Sequence, residues 1–219
     1  VDLPAHQLHQ DHGLAPPVAA PAPGHDHRSG SLPAALLDWT VMSVAMMVPV
    51  ALPAVQHVGL NSIRPRRRWA MFVFFAVYVG IWVAFGVAVL AAERVADQVL
   101  RIDDRVLLAF ALAVAAAWQL TRIKRRALFR CRRTVPLPPV GLRADAGCAR
   151  FALQHGWRCV TSCWSLMVVM AVVQQRALLW MAALTALIVT EELTRFGRRL
   201  LRLSAVALAV AAGLVAPGI

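Results

Sequence analysis

The sequence predicts an all-α fold: a polytopic membrane bundle of about six transmembrane helices, preceded by a disordered His-rich arm. Three observations carry this expectation. Of the 219 residues, 59% are hydrophobic and 16% charged, against about 45–50% and 25% in a soluble domain, and the mean hydropathy is +0.62. A soluble fold of this size has too little interior for so much apolar surface, which excludes an ordinary soluble enzyme. The apolar residues come in long runs. The basic residues, which give the net charge of +12, sit in short clusters between those runs, so the charge reads as membrane topology and not as a nucleic-acid surface.

Residues 1–31 form the first element. They hold His6, His9, His12, His25 and His27 and a Pro/Ala stretch over 15–23. Such a segment buries too little to offset its ordering entropy, and it lacks the charged start and apolar core of a signal peptide. The domain that follows, 32–219, contains runs at 36–58, 69–92, 105–121, 151–173, 177–191 and 200–217. A hydrocarbon layer of about 30 Å needs about 20 helical residues. The third and fifth runs are short and lean on snorkelling arginines or neighbouring helices. Pro49 and Pro53 kink the first. Trp39, Trp69, Trp82, Trp157 and Trp180 are expected near run ends or within a turn or so of them, where interfacial belts form.

Orientation follows from the arginines. The first linker carries Arg64, Arg66, Arg67 and Arg68; the third carries Arg122, Lys124, Arg125, Arg126, Arg130, Arg132 and Arg133; the fifth carries Arg195, Arg198 and Arg199. The second and fourth linkers have few basic residues, and the second also carries Asp97, Asp103 and Asp104. Linkers one, three and five are therefore expected in the cytoplasm and both termini outside. The Pro-rich stretch 135–147 reads as a connector.

The fourth run carries the chemistry. His155, Cys159, Cys163, Met167 and Met170 are spaced by four, four, four and three, so they share a helix face within about 120°. On the first run Asp38, Met42 and Met46 are also spaced by four, with Met47 beside them and His57 near the inner end. The two runs are antiparallel. Met42 is expected at the depth of Met170 or Met167, Met46 near Met167 and Cys163, and His57 near His155. Thiolate and thioether donors select Cu(I), and imidazole also accepts Cu(II) or Zn(II). Methionine and cysteine at helical spacing equally serve as core packing, and both readings stand at this level. The histidines of the arm offer a second binder, for Cu(II) or Zn(II), or a mere spacer.

Glu191 and Glu192 end the fifth run, with Arg158 at similar depth. A structural ion pair of Arg158 with either glutamate is the economical reading. Cys131 and Cys148 flank the cytoplasmic connector, where thiols stay reduced.

These residues also carry a resemblance. The pattern Trp39-x-x-Met42-x-x-Ala45-Met46-Met47-x-Pro49 is followed by Trp118-Gln119-Leu120-Thr121, Lys124 and Cys131-Arg132. After these come His155-Gly156-x-x-Cys159, Cys163-Trp164-x-Leu166-Met167, Trp180-Met181 and Glu191. Together they resemble a bacterial family of predicted metal-binding integral membrane proteins, family 2182 of the domain-of-unknown-function series, over about residues 36–215. The likeness excludes the histidine arm. Two departures stand out: the family usually has a cysteine at the position of Ser162 and another at that of Ala127. The resemblance implies a metal link and a bacterial cytoplasmic membrane, without a reaction.

The expected function is binding of a soft metal, copper above all, in homeostasis, transfer or metallation of a membrane metalloenzyme, with a metallochaperone as a further partner. Nothing indicates catalysis: no Ser/His/Asp set or carboxylate pair shares a face. Two alternatives remain open. One is an accessory subunit of a membrane metalloenzyme complex, in which Met and Cys only pack. The other is a proton-coupled carrier using Glu191.

Overall fold

The computed structural model describes residues 31–99, 103–131, 133, 135–138, 141–173, 177–193 and 197–216. The histidine arm, with His6, His9, His12, His25 and His27, lies outside them. Among the described residues the fold is all-α, with seven α-helices: α1 Leu32–Leu60, α2 Arg67–Val99, α3 Asp104–Gln119, α4 Arg122–Cys131, α5 Leu142–Val172, α6 Ala177–Leu193 and α7 Gly197–Val215. Six of these contain the six apolar runs. The seventh, α4, occupies the linker that its charge made look like a loop.

Local chemistry sets the ends. Pro33 occupies the first turn of α1, and Asn61 closes it by donating from Nδ2 to the His57 carbonyl at 2.8 Å. Asp103 caps α3, its carboxylate accepting from the Arg105 amide at 2.8 Å. Thr121 does the same for α4, accepting from the Lys124 amide at 3.2 Å. Gly141, with φ +80°, provides the left-handed turn that starts α5.

Two helical stretches, Leu32–Leu60 and Arg64–Ala96, are long and apolar enough to cross a membrane by length and composition. The α3 and α4 helices, bent by 69° at their junction, make a third if they count as one broken span. The other runs fall short for visible reasons. The α6 helix has 17 residues. The α5 helix has 31 residues, but its first half carries Arg143, Asp145 and Arg150 and the more apolar second half still holds His155 and Arg158. The outward faces are apolar nonetheless: Leu37, Phe72, Phe110, Leu178, Leu203 and Leu214 are all exposed.

The α2 helix is the central post, packed on α1 along one side and on α5 along the other, while α3 packs on α7 and α5. Glycine makes both α2 contacts close. Trp39 of α1 donates its indole N–H to the Trp82 carbonyl at 2.9 Å and lies over Gly86, where an added Cβ would come within 2.2 Å of the ring. In α5, a Cβ on Gly156 would meet Ile81 Cδ1 at 2.5 Å. Gly86→Ala is therefore expected to destabilise the bundle by about 1–3 kcal/mol through overpacking, despite its helix-propensity gain of about 1 kcal/mol. Thermal unfolding in detergent tests this; an unchanged midpoint would mean that Trp39 moves aside freely.

Candidate metal centre

The soft-donor face of α5 points inward over its whole length. His155 is 6% exposed, Cys159 and Cys163 1% each, Met167 0% and Met170 5%. On α1, Met46 and Met47 are buried in the same core, and Met42 is partly buried against it. Both methionine sets and both thiols thus belong to one apolar cluster.

The two faces are joined through a residue that sequence reasoning missed. Tyr78 of α2 is buried, with its hydroxyl 3.2 Å from Cys159 Sγ and 3.4 Å from the Met47 carbonyl. A lone tyrosine in an apolar run has no periodic partner to mark it. Its position shows that α2 stands between α1 and α5 at this level, with Met47 and Cys159 at one depth. The inner end is shifted by a turn from the expected register. His57 packs on Phe151, ring centroids 5.7 Å apart, one turn before His155, and its Nε2 meets the Val135 carbonyl at 3.0 Å.

Around the thiols the polar contacts are few and specific. The Cys159 and Cys163 thiols lie one helical turn apart on the same buried face of α5. Ser162 Oγ lies 3.3 Å from Cys163 Sγ, 2.9 Å from the Cys159 carbonyl and 3.1 Å from Glu192 Oε1. This serine stands where the resembled family has a cysteine, and it faces the core. Ala127, the other departure, is also buried, one turn from Cys131 on the inner face of α4.

His155 lies in a cage of Phe74, Tyr78 and Phe151, with ring centroids 5.9–6.0 Å away. One ring nitrogen bonds the Cys131 backbone while buried Nε2 has no hydrogen-bond partner. In known metal sites a ligating histidine commonly has its second ring nitrogen bonded in this way. Among the described residues, however, no three His, Cys, Asp or Glu side chains gather closely enough to hold a metal by themselves. The donors in this core are chiefly sulfurs: two thiols one helical turn apart on α5, with thioethers along the same cluster. That set suits Cu(I) and does not suit a hard cation.

The expected ion pair of Arg158 with Glu191 or Glu192 needs correction. Glu191 is met by Lys124, Nζ to Oε2 at 2.7 Å, and accepts from Gln119 Nε2 at 2.9 Å. The Lys124 side chain is fully buried, and its Nζ makes no further hydrogen bond among the described residues. Because α4 folds back against α5 and α6, it brings Lys124 to the glutamate. Arg158 donates instead to the Arg130 carbonyl at 3.1 Å.

Nearer the N-terminus of α5, before the run at 151–173, Cys148 is 1% exposed. Burial pushes its thiol pKa up, the Arg66 guanidinium opposes the rise, and Asp145, which pairs with Arg66, adds to it. Maleimide is therefore expected to modify half-buried Cys131 well before Cys148 at neutral pH. Labelling of Cys148 should still climb at a pH where an ordinary thiol has levelled off. Peptide mass spectrometry reads both rates; equal rates at pH 7 would contradict this.

Among the described residues the chain is an all-helical bundle whose buried core holds Cys148, Cys159 and Cys163 together with several thioethers. Residues 36–215 match the family described as PpoB2, copper chaperone, and the chain belongs to that family. The matched residues are the stretch over which the motifs run, without the arm. No curated protein and no solved structure matches the chain.

Proposed function

We propose that the chain is a multi-pass protein of a bacterial cytoplasmic membrane that binds Cu(I) through Cys159 and Cys163 and passes it to a membrane metalloenzyme. The observation that carries this reading is the burial of both thiols with Met46, Met47, Met167 and Met170 in one core, bridged by Tyr78. The exposed apolar faces of the helices and the alternation of basic linkers support the membrane setting, with the N- and C-termini extracytoplasmic. No catalysis is needed for this function.

Copper here is the substrate. Loading it on two thiolates releases their protons, and the ion compensates the thiolate charge within the apolar core. The neutral thioethers of Met167, Met170, Met42, Met46 and Met47 bind more weakly, which suits sites the ion must leave. The open Nε2 of His155 lies one turn away, on the cytoplasmic side of the thiols. Histidines of the arm would collect Cu(II) or Zn(II) outside. The engagement of Glu191 by Lys124 and Gln119 favours a structural role over a proton-coupled carrier.

X-ray absorption at the copper edge, on protein loaded with Cu(I) without oxygen, tests the assignment. A first shell dominated by sulfur is expected. A shell of nitrogen alone would overturn it. Ser162→Cys adds a thiol beside Cys163 and is expected to raise copper retention against a competing chelator; lower retention would show that the serine position is not part of the site.

A further inference from the structure

The α4 helix has no part in the proposed copper site. Its ten residues divide into two faces. Lys124, Ala127 and Leu128 are buried and Cys131 is half-buried, at the i, i+3, i+4, i+7 spacing of an inward helical stripe. On the opposite arc Arg122, Arg125, Arg126 and Arg130 are exposed, and none of the four guanidinium groups meets an acceptor among the described residues. At 100° per residue, Ile123 and Phe129 flank Arg122, Arg126 and Arg130 on this arc. They are 55% and 70% exposed.

Four unpaired like charges on three turns of helix repel one another and call for anions. Two large apolar side chains beside them call for something besides water. The bend decides between a soluble and a membrane partner. The α4 axis turns 69° from α3, so if α3 crosses the bilayer, α4 lies close to the plane of its surface. The arginines and the two apolar side chains then sit at the depth of lipid headgroups.

We infer that α4 is a membrane-surface helix that binds the headgroups of anionic phospholipids through Arg122, Arg125, Arg126 and Arg130, with Ile123 and Phe129 entering the interface. This rests on the membrane reading above. Its inner face is tied to Glu191 by Lys124, so lipid and protein hold the same ten residues from opposite sides. Basic clusters beside an apolar face bind acidic membrane surfaces by this combination of charge and partial insertion.

The test uses the full chain in nanodiscs of phosphatidylcholine, with or without phosphatidylglycerol. Hydrogen exchange of peptides covering 122–131 is expected to slow several-fold when phosphatidylglycerol is present, while peptides from α2 stay unchanged. Native mass spectrometry should show wild type enriched in phosphatidylglycerol. The Arg122→Gln/Arg125→Gln/Arg126→Gln/Arg130→Gln variant should lose roughly tenfold or more of that preference. Equal exchange in both discs would overturn the inference, and that arm needs no variant. Slowing by soluble polyglutamate in phosphatidylcholine discs, without an effect of phosphatidylglycerol, would also overturn it in favour of an acidic protein partner. Failure to enter discs at all would sink the membrane reading itself, a separate result.

Discussion

Replacing Cys159 and Cys163 together by serine removes tightly held Cu(I) from the protein while leaving it folded. The two positions are buried, and the thiols already act as hydrogen-bonding groups toward Tyr78 and Ser162, so hydroxyls have partners ready. The copper loses both anionic donors, and only thioethers and one imidazole remain. The fall in apparent affinity should exceed the roughly 10–100-fold that loss of an outer-shell partner costs. Competition with a calibrated Cu(I) chelator reads it directly; unchanged stoichiometry and affinity would sink the thiol site. A companion variant separates ligand from packing. Met46→Leu/Met167→Leu nearly conserves volume, at less than about 1.5 kcal/mol per site. It is expected to keep the melting temperature close to wild type while slowing copper release to an acceptor.

The second large effect is on stability. Lys124→Met removes the cation that meets the Glu191 carboxylate in a buried site, while the Gln119 amide still donates to it. Removing one member of a buried ion pair costs about 3–5 kcal/mol, a fall in melting temperature of roughly 6–20 °C for a chain of this size. The double variant Lys124→Met/Glu191→Leu removes both charges and should recover most of the loss, since buried pairs contribute little beyond their mutual compensation. Thermal unfolding of the three proteins in one detergent decides. Equal destabilisation by the single and double variants would show that the pair is not what holds α4 against α6.

Much of this architecture was legible because hydropathy is a local property. Each apolar run became part of a helix, and the spacing of His155, Cys159, Cys163, Met167 and Met170 marked a face that is indeed buried. What stayed hidden depends on neighbours. The α4 helix was obscured by its arginines, although Thr121 before the stripe of Lys124, Ala127, Leu128 and Cys131 is a cap followed by helical periodicity. A lysine on the inward side of that stripe makes sense only once Glu191 is seen opposite it. The depth of α1 against α5 was read a turn off, because α2 stands between them and Tyr78 sets their register. Single polar groups in apolar runs, such as Tyr78, Gln119 and Ser162, have no pattern around them, so only the packed structure reveals what each one meets.

Copper is expected to be held by sulfur within the helical domain and not by the histidine arm. Metal content by mass spectrometry, on detergent-solubilised protein grown with copper, with and without residues 1–31, tests it most directly. About one copper per chain is expected in both forms, as for one pair of thiolates. Copper that disappears with the arm would make His6, His9, His12, His25 and His27 the binder and leave the buried sulfurs as packing.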